Sequence, residues 1–237
     1  MLVLGWQLLS MVVNRAIVAS PADTLRALAD LVWGGSLWRE LLVTLRRLVL
    51  GLLIGSGLGL VLGVVAGLSQ RVRSLLEPVR WVGMTLPAVV IALLAMLWFG
   101  LGDRQVIFLV AVIIAPTMYV NTLEGIRAID ARLVEMGHVY RLPRRLMLTS
   151  VYLPGIGSPL MAGFTLATGI GVRAVILGEV LGSQNGIGHA FQRAMTYLDT
   201  PVVFAWILVT LGLMAALEFG LLRPARRRVM RWKASSR

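Results

Sequence analysis

The chain has 237 residues, of which 58% are hydrophobic and 14% are charged, and its mean hydropathy is +0.84. A soluble domain carries about a quarter of its residues as charged side chains, so this composition excludes an ordinary soluble protein. The net charge of +12 does not indicate a nucleic-acid binder, because the arginines lie between apolar runs rather than on one solvated domain. The absence of cysteine excludes disulfides and thiolate metal sites.

The apolar runs predict an all-α protein, a polytopic bundle of transmembrane helices. About 20 apolar residues cross the hydrocarbon layer once, so five crossings and their loops use most of the chain. Residues 2–13 form a shorter run without the basic start of a signal peptide, and we read it as a short sixth span or an interfacial helix. The five longer spans are predicted at residues 49–68, 81–102, 105–123, about 159–180 and 200–217.

The fourth of these spans lies in an apolar run that is too long for one straight helix. Residues 146–172 carry no charge, but Pro154 and Pro159 interrupt them. Proline is tolerated in the first turn of a helix, so we expect the helix to begin near Pro159 and to continue to about Val180.

An amphipathic helix outside the membrane is predicted at residues 21–37. Leu25, Leu28 and Val32 recur at helical spacing there, opposite Asp23 and Asp30. The chain therefore divides into a short N-terminal segment, this external segment, a transmembrane domain and a basic tail. Their bounds are residues 1–20, 21–40, 41–223 and 224–237.

The distribution of lysine and arginine predicts the orientation, because cytoplasmic segments collect positive charge. Residues 69–80, 124–150 and 223–237 hold three, five and seven of these side chains. We therefore place these segments in the cytoplasm, and Asp103 and residues 181–199 outside.

Five glycines at four-residue intervals share one face of the first long span: Gly51, Gly55, Gly59, Gly63 and Gly67. In lipid such a smooth stripe lets a second backbone approach closely and gain dispersion contacts. The simpler interpretation is close packing inside one subunit. The alternative is a moving or dimeric contact.

Residues that could carry chemistry are few. His138 and His189 are the only histidines and lie on opposite predicted sides, so they cannot share a metal. The only lysine is Lys233, in the basic tail, so no P-loop lysine is available. Gly186-Ile187-Gly188 follows no strand and predicts a turn rather than a nucleotide site. We therefore expect no catalytic residue, metal or cofactor in this chain.

Two ionisable residues fall within the fourth span, where such side chains usually face a bundle interior or a wet path. Arg173 is therefore a candidate for stabilising an anion in transit, and a structural partner or a wet boundary is the alternative. Six helical steps place Glu179 about 240° away, so we do not expect the two to pair. Glu179 is a weaker pathway candidate, because a solvated or capping contact explains it equally well.

The cytoplasmic connection at residues 124–155 is longer than two spans require. It predicts two short helices, one at residues 131–140 and one beginning at Pro143, since proline suits a first helical position. The second combines basic and apolar side chains, which favours docking to a protein because a solvated loop needs no apolar face. These side chains are Arg141, Arg144, Arg145, Leu142, Leu146, Met147 and Leu148.

This connection resembles the cytoplasmic signature of the permeases of type I ATP-binding-cassette importers. That signature is Glu-Ala-Ala, three residues, Gly, nine residues and Ile-x-Leu-Pro. Glu135-Met136-Gly137 stands at its head and Val151-Tyr152-Leu153-Pro154 at its end, with the spacing preserved. Gly137 replaces the second alanine. Arg141 replaces the glycine and so loses its easy access to positive φ, although the adjacent Leu142-Pro143 offers a different turn.

The resemblance covers nearly the whole chain from about Ser20. Four further motifs are similar to the nitrate, sulfonate and taurine importer branch: Leu76-Glu77-Pro78, Leu86-Pro87, Trp98-Phe99-Gly100-Leu101-Gly102 and Asn185-Gly186-Ile187-Gly188. The resemblance implies a multi-pass permease of the bacterial inner membrane, which imports a small anion by alternating access. It also implies a coupling role for Glu135, Met136, Gly137, Arg141, Leu142, Pro143, Arg144, Arg145, Val151, Leu153 and Pro154.

The implied partners are a cytoplasmic ATPase dimer that holds ATP and Mg, a second permease copy, a periplasmic substrate-binding protein and the lipid bilayer. The alternative functions are a proton-coupled secondary transporter and, less favoured, an integral-membrane enzyme. A proton-coupled secondary transporter would have only Glu179 and Glu218 as relays and would leave the long cytoplasmic connection unexplained. An integral-membrane enzyme is less favoured, because no His, Cys or paired carboxylate set converges.

Overall fold

The computed structural model describes residues 2–12 and 17–227. These residues form α-helices and two π-helical segments, and no strand occurs among them, which confirms the all-α prediction. The elements in chain order are α1 (Leu2–Val12), α2 (Pro21–Trp33), α3 (Ser36–Leu68), α4 (Gln70–Thr85), α5 (Ala88–Phe99), α6 (Asp103–Arg127), α7 (Ala131–Val139), α8 (Arg144–Met147), a π-helical segment (Leu148–Tyr152), α9 (Leu153–Gly182), α10 (Ile187–Thr196), α11 (Thr200–Ala215) and a second π-helical segment (Ala216–Leu222).

Four helical stretches in this described part are long and apolar enough to cross a membrane: Ser36–Leu68, Asp103–Arg127, Gly155–Gly182 and Thr200–Arg227. Helices α4 and α5 qualify only as a pair, which gives five spans if the pair crosses once. Helix α1 has 11 residues and reaches about 16 Å, well short of the roughly 30 Å of hydrocarbon. That residues 1–20 form either a short sixth span or an interfacial helix stays a prediction.

The boundary between the external helix and the first span differs from the prediction. Helix α2 ends at Trp33 rather than at residue 37, and α3 begins at Ser36. Gly34 ends α2 by donating its backbone N–H to the carbonyl of Asp30, and Gly35 adopts a φ of 72°, which glycine takes without strain. The apolar spacing continues through Leu37, so hydropathy does not reveal this break.

The predicted span at residues 81–102 is not one straight helix. Helix α4 ends at Thr85, α5 begins at Ala88, and the two axes differ by 100°. Leu86 is extended, with φ −63° and ψ 129°, because the ring of Pro87 disfavours a helical conformation in the residue before it.

The prediction that the fourth span begins near Pro159 was wrong. Helix α9 begins at Leu153 and contains Pro159 in its interior. Membrane helices tolerate proline where neighbouring groups and local adjustments accommodate it. The π-helical segment Leu148–Tyr152 precedes α9, and Gly125 of α6 leaves room for the proline ring, since a Cβ there would lie 2.9 Å from Pro159 Cβ.

The chain forms two compact units, and several helices contribute residues to both. The first contains Met1–Leu50, Val89–Leu109 and Val172–Ala216, and the second contains Gly51–Ala88, Val110–Gly171 and Leu217–Arg237. In the first unit, Trp6 of α1 stacks on Phe204 of α11 with ring centroids 5.8 Å apart. Helix α2 also packs on α11 there.

In the second unit, the glycine stripe brings α3 against α6. A Cβ on Gly59 would lie 2.5 Å from the carbonyl oxygen of Ala115, and one on Gly63 would lie 2.6 Å from Thr122 Cβ. A Cβ on Gly55 would lie 2.6 Å from the carbonyl oxygen of Ala111, and one on Gly67 would lie 2.9 Å from Ile126 Cβ. These contacts lie within one chain, which agrees with the simpler of the two interpretations.

Candidate functional site

A cluster of buried charges lies in the first unit, with Arg47 of α3 at its centre. The Arg47 side chain is only 1% exposed, and Glu179 of α9 is fully buried. Arg47 Nη1 donates to Glu179 Oε1 at 2.8 Å and to the Asn185 carbonyl at 2.9 Å. Its Nε and Nη2 donate to Asp103 Oδ1 at 2.8 and 2.6 Å, and Nη2 also donates to Asn185 Oδ1.

The same cluster binds the beginning of α10 through three successive backbone N–H groups of Gly186-Ile187-Gly188. They donate in order to Glu40 Oε2 at 2.6 Å, Thr44 Oγ1 at 2.9 Å and Glu179 Oε2 at 2.9 Å. Carboxylates are stabilised there because the N-terminus of a helix carries partial positive charge. Gly186 has a φ of 99°, and a Cβ on it would collide with the Glu179 carboxyl group. The predicted turn is thus the start of a helix.

The charges of the cluster cancel one another. Three carboxylates, on Glu40, Asp103 and Glu179, face three guanidinium groups. Arg39 donates to Glu40 at 2.9 Å, Arg46 donates to Asp103, and Arg47 bridges Asp103 and Glu179. With every charge paired, the cluster connects α3, the start of α6, the end of α9 and the start of α10, and it offers no open charge to a ligand. The contact of Glu179 with Gly188 is a capping contact.

Sequence reasoning missed Glu40, Thr44 and Arg47, because the first span was predicted to begin at residue 49. The structure extends this helix to Ser36. Positions 40, 44 and 47 are four and three residues apart and therefore share one helix face. This spacing is the sequence signal that could have placed the three side chains on one helix face.

Arg173 lies in a different setting from Glu179. Its side chain is exposed, and among the described residues it has no hydrogen bond or ion pair. Ala162 and Leu166 are also exposed on α9, at helical spacing from Arg173. An exposed arginine inside a span is costly in hydrocarbon, so this position requires water or protein next to it.

The predicted coupling segment lies in the second unit and contains the two expected short helices. They cover Ala131–Val139 and Arg144–Met147, so the second begins one residue after Pro143. Arg141 adopts a φ of 51°, and the turn closes with a 2.9 Å hydrogen bond from Leu142 N to the Gly137 carbonyl. Arg141 therefore adopts a positive φ although it is not a glycine.

The other residues of the signature are partly buried between the two short helices and partly exposed. Gly137 is buried, and a Cβ there would lie 2.6 Å from Met147 Sδ, so its small size lets the two short helices approach. Four apolar side chains of α7 and its end are exposed: Leu133 at 48%, Met136 at 49%, Val139 at 74% and Tyr140 at 73%. The other exposed residues of the signature are Glu135, Arg141, Pro143, Arg145 and Leu153. Two more, Leu142 and Val151, are half-buried. The side chains of Arg144 and Pro154 lie outside the described part.

Replacing Arg141 by glycine should stabilise the protein by about 1 kcal/mol, because a left-handed residue with a Cβ is strained and glycine is not. Thermal unfolding of the purified chain in detergent would measure the change. Tyr140→Gly is the matched control, because φ of Tyr140 is not positive, and we expect it to be neutral or destabilising. Equal effects of the two substitutions would contradict a special conformation at residue 141.

The long apolar helices and the bent helix pair are typical of a polytopic membrane protein. Residues 55–228 match the family described as binding-protein-dependent transport system inner membrane component. The chain belongs to this family.

Individual relatives agree with this assignment. The putative aliphatic sulfonates transport permease protein SsuC of Bacillus subtilis is 30% identical over 94% of this chain and 81% of its own length. Its Escherichia coli counterpart is 34% identical over 86% and 78%. The E. coli taurine transport system permease protein TauC is 28% identical over 83% and 71%.

A solved structure shows the same fold. It is the MetNI methionine ABC transporter in an inward-facing conformation, matched with a TM-score of 0.64 at 18% identity, over 84% of this chain and 97% of that chain. The family match and the named relatives show that the chain is a permease subunit of an ATP-binding-cassette importer in the inner membrane, and not an enzyme. The family implies a partner ATPase and a substrate-binding protein.

Proposed function

We propose that this permease translocates a small organic anion of the sulfonate type, and that Arg173 contacts the anion in transit. Two observations support the proposal. The relatives named above are designated for aliphatic sulfonates and for taurine, which both carry a sulfonate group. The observation in this chain that carries the proposal is Arg173 itself, an exposed cation in the span Gly155–Gly182 without a counter-ion among the described residues.

The physical argument concerns the energy of an anion in the membrane. A sulfonate that leaves water loses its hydration, and a guanidinium compensates by donating two parallel hydrogen bonds to its oxygens. Because no carboxylate of the described part neutralises Arg173, its charge is available for this purpose. Glu179, the other pathway candidate, is held by Arg47, Thr44 and Gly188, and we assign it a structural role instead.

Replacing Arg173 by glutamine should lower ATP-dependent uptake of an alkanesulfonate roughly 10- to 100-fold, which corresponds to one charge-assisted hydrogen bond of about 1.5–3 kcal/mol. The measurement is uptake of a radiolabelled alkanesulfonate into proteoliposomes that hold the permease with its ATPase and binding protein. Arg173→Lys should retain part of the activity, because it keeps the charge but not the bidentate geometry.

Arg193→Gln is the matched control. Arg193 is also exposed, but it lies on α10 outside the candidate spans, and its loss should leave uptake close to that of the unmodified protein. Unchanged uptake by the Arg173→Gln transporter, at equal assembly with the ATPase, would remove Arg173 from the pathway.

We further propose that the exposed face of residues 131–148 docks on the partner ATPase, with Glu135, Met136 and Arg145 in the contact. The four exposed apolar side chains of α7 and its end, together with Leu146 at 44% exposure, support docking, because exposed apolar area beside basic residues is typical of a protein interface. ATP and Mg would be held by that ATPase. Two permease copies in the assembly, and substrate delivery from outside by the binding protein, complete the proposal.

A further inference from the structure

Helix α4 carries an apolar stripe that the described part of the chain leaves exposed. Leu75, Val79 and Val82 are four and three residues apart, so they share one side of the helix. Their exposed fractions are 74%, 65% and 44%. These three side chains form the outer stripe, and the transport function proposed above assigns them no role.

The remainder of α4 is polar and carries excess positive charge. Its charged residues are Arg71, Arg73, Glu77 and Arg80. Arg80 donates to Glu77, whereas Arg71 and Arg73 make no ion pair with any described residue. Arg71 is exposed and lies four residues before Leu75, so it borders the outer stripe. Uncompensated positive charge is therefore placed directly beside exposed apolar surface.

The packing of α4 on α6 places this surface at the depth of the hydrocarbon layer. Val72 and Leu76 pack against the buried cluster that contains Tyr119 of α6. A Cβ on Gly83 would lie 2.9 Å from Pro116 Cγ, and Pro116 is about 16 Å along the helix axis from the end of α6. Because α6 is itself a candidate span, α4 runs obliquely along its apolar part. An exposed side chain at this depth meets lipid or another protein rather than bulk water.

We propose that α4 is an interfacial helix whose outer stripe binds the acyl chains of an anionic phospholipid, with Arg71 at the headgroup phosphate. A helix with one apolar side and one basic, polar side lies at the membrane surface with its apolar side about 5–10 Å into the acyl boundary. Arginine suits a phosphate because it donates two parallel hydrogen bonds to its oxygens. The lipid belongs to the cytoplasmic leaflet, on the side predicted for residues 69–80.

Two protein partners compete with lipid for this surface. The cytoplasmic ATPase is less suited, because the outer stripe lies beside the apolar part of α6. A second permease copy that paired through the same face would bring two uncompensated Arg71 side chains together, which is unfavourable in surroundings of low dielectric constant. An anionic lipid covers the apolar stripe and neutralises the cation at the same time.

The chain lacks cysteine, so Leu75→Cys can carry a single fluorophore on the outer stripe. Ser74→Cys is the matched control, because Ser74 is also exposed but lies about 100° away around the helix axis. The labelled permease would be assembled with its ATPase in nanodiscs whose phospholipids carry bromine on the acyl chains, which quenches a fluorophore only at close contact. We expect strong quenching at residue 75 and much weaker quenching at residue 74.

Brominated phosphatidylglycerol and brominated phosphatidylcholine, compared at equal fractions, measure the preference for an anionic headgroup. We expect a preference for phosphatidylglycerol of about fivefold, the contribution of one basic residue near an anionic surface. Adding Arg71→Gln should remove this preference without changing the quenching by phosphatidylcholine. Arg132→Gln is the control, because it removes an exposed arginine from α7, and the preference should persist.

Three results would overturn the proposal. Equal quenching at residues 74 and 75 would show that the outer stripe is not a lipid-facing side of α4. Absence of quenching at residue 75, or a disulfide between two unlabelled Leu75→Cys copies, would show that protein covers the stripe. Equal quenching by the two lipids would exclude an anionic headgroup at Arg71.

Discussion

Replacing Arg47 by alanine should destabilise the protein by about 3–5 kcal/mol, the largest effect that we expect from a single substitution. The substitution leaves the fully buried carboxylate of Glu179 without its cation, and an uncompensated buried charge is far more costly than the absence of the whole pair. It also removes the donors to Asp103 and to Asn185. The connection between α3 and the start of α10 would therefore be weakened.

Thermal or denaturant unfolding in detergent micelles would measure this loss, and Arg46→Ala provides a matched control. Arg46 immediately precedes Arg47 and donates to the same Asp103, and its side chain is 58% exposed. Exposed ion pairs contribute at most about 1 kcal/mol, so the control should unfold almost like the unmodified protein. Equal losses for the two variants would contradict the central place of Arg47 in the cluster.

Adding a single methyl group at Gly59 should destabilise the packing of α3 on α6 by about 1–3 kcal/mol or more. The new Cβ would lie 2.5 Å from the Ala115 carbonyl oxygen and 2.6 Å from Met118 Cβ. Backbone atoms cannot move aside as the end of a flexible side chain can, so the helices would have to separate. Helix association in lipid depends on such close contact, because the hydrophobic effect contributes little between helices there.

Gly57→Ala is the control for this substitution, since a Cβ on Gly57 would meet nothing within 4 Å. Alanine also has a higher helix propensity than glycine by up to about 1 kcal/mol, so the control should be neutral or stabilising. The comparison separates packing from propensity in one helix. If Gly59→Ala unfolded at the temperature of the unmodified protein, the glycine stripe would not be a packing surface.

The sequence predicts the fold class and the two short helices within residues 131–148 well, because both depend on local signals. Long uncharged runs identify spans, and the proline at position 143 identifies the start of a second short helix. The boundaries at Ser36 and Leu153 could not be predicted in this way. The break at Gly34-Gly35 interrupts no apolar pattern, and Pro159 remains helical because groups elsewhere in the chain, such as Gly125, accommodate its ring.

The buried charge cluster shows a second limit of sequence reasoning. Arg47 pairs with Asp103 and Glu179, which are 56 and 132 residues away along the chain. No periodic pattern connects positions at such separations. The sequence could show that Glu179 lies near the end of a span, but only the fold reveals which cation neutralises it and why Gly186 must be a glycine.

We propose that force from a separate ATPase enters this permease through the helix-turn-helix at residues 131–148. The test is a single cysteine at Met136, which is 49% exposed, in the assembled transporter, treated with a short thiol-to-amine cross-linker. The control is Met195→Cys on α10, where the side chain is 54% exposed. We expect Met136→Cys to cross-link to the ATPase subunit and the cross-link to abolish ATP-dependent uptake, while Met195→Cys does not reach the ATPase. Failure of Met136→Cys to reach the ATPase, or a cross-link from Met195→Cys to it, would contradict force transmission through this helix-turn-helix.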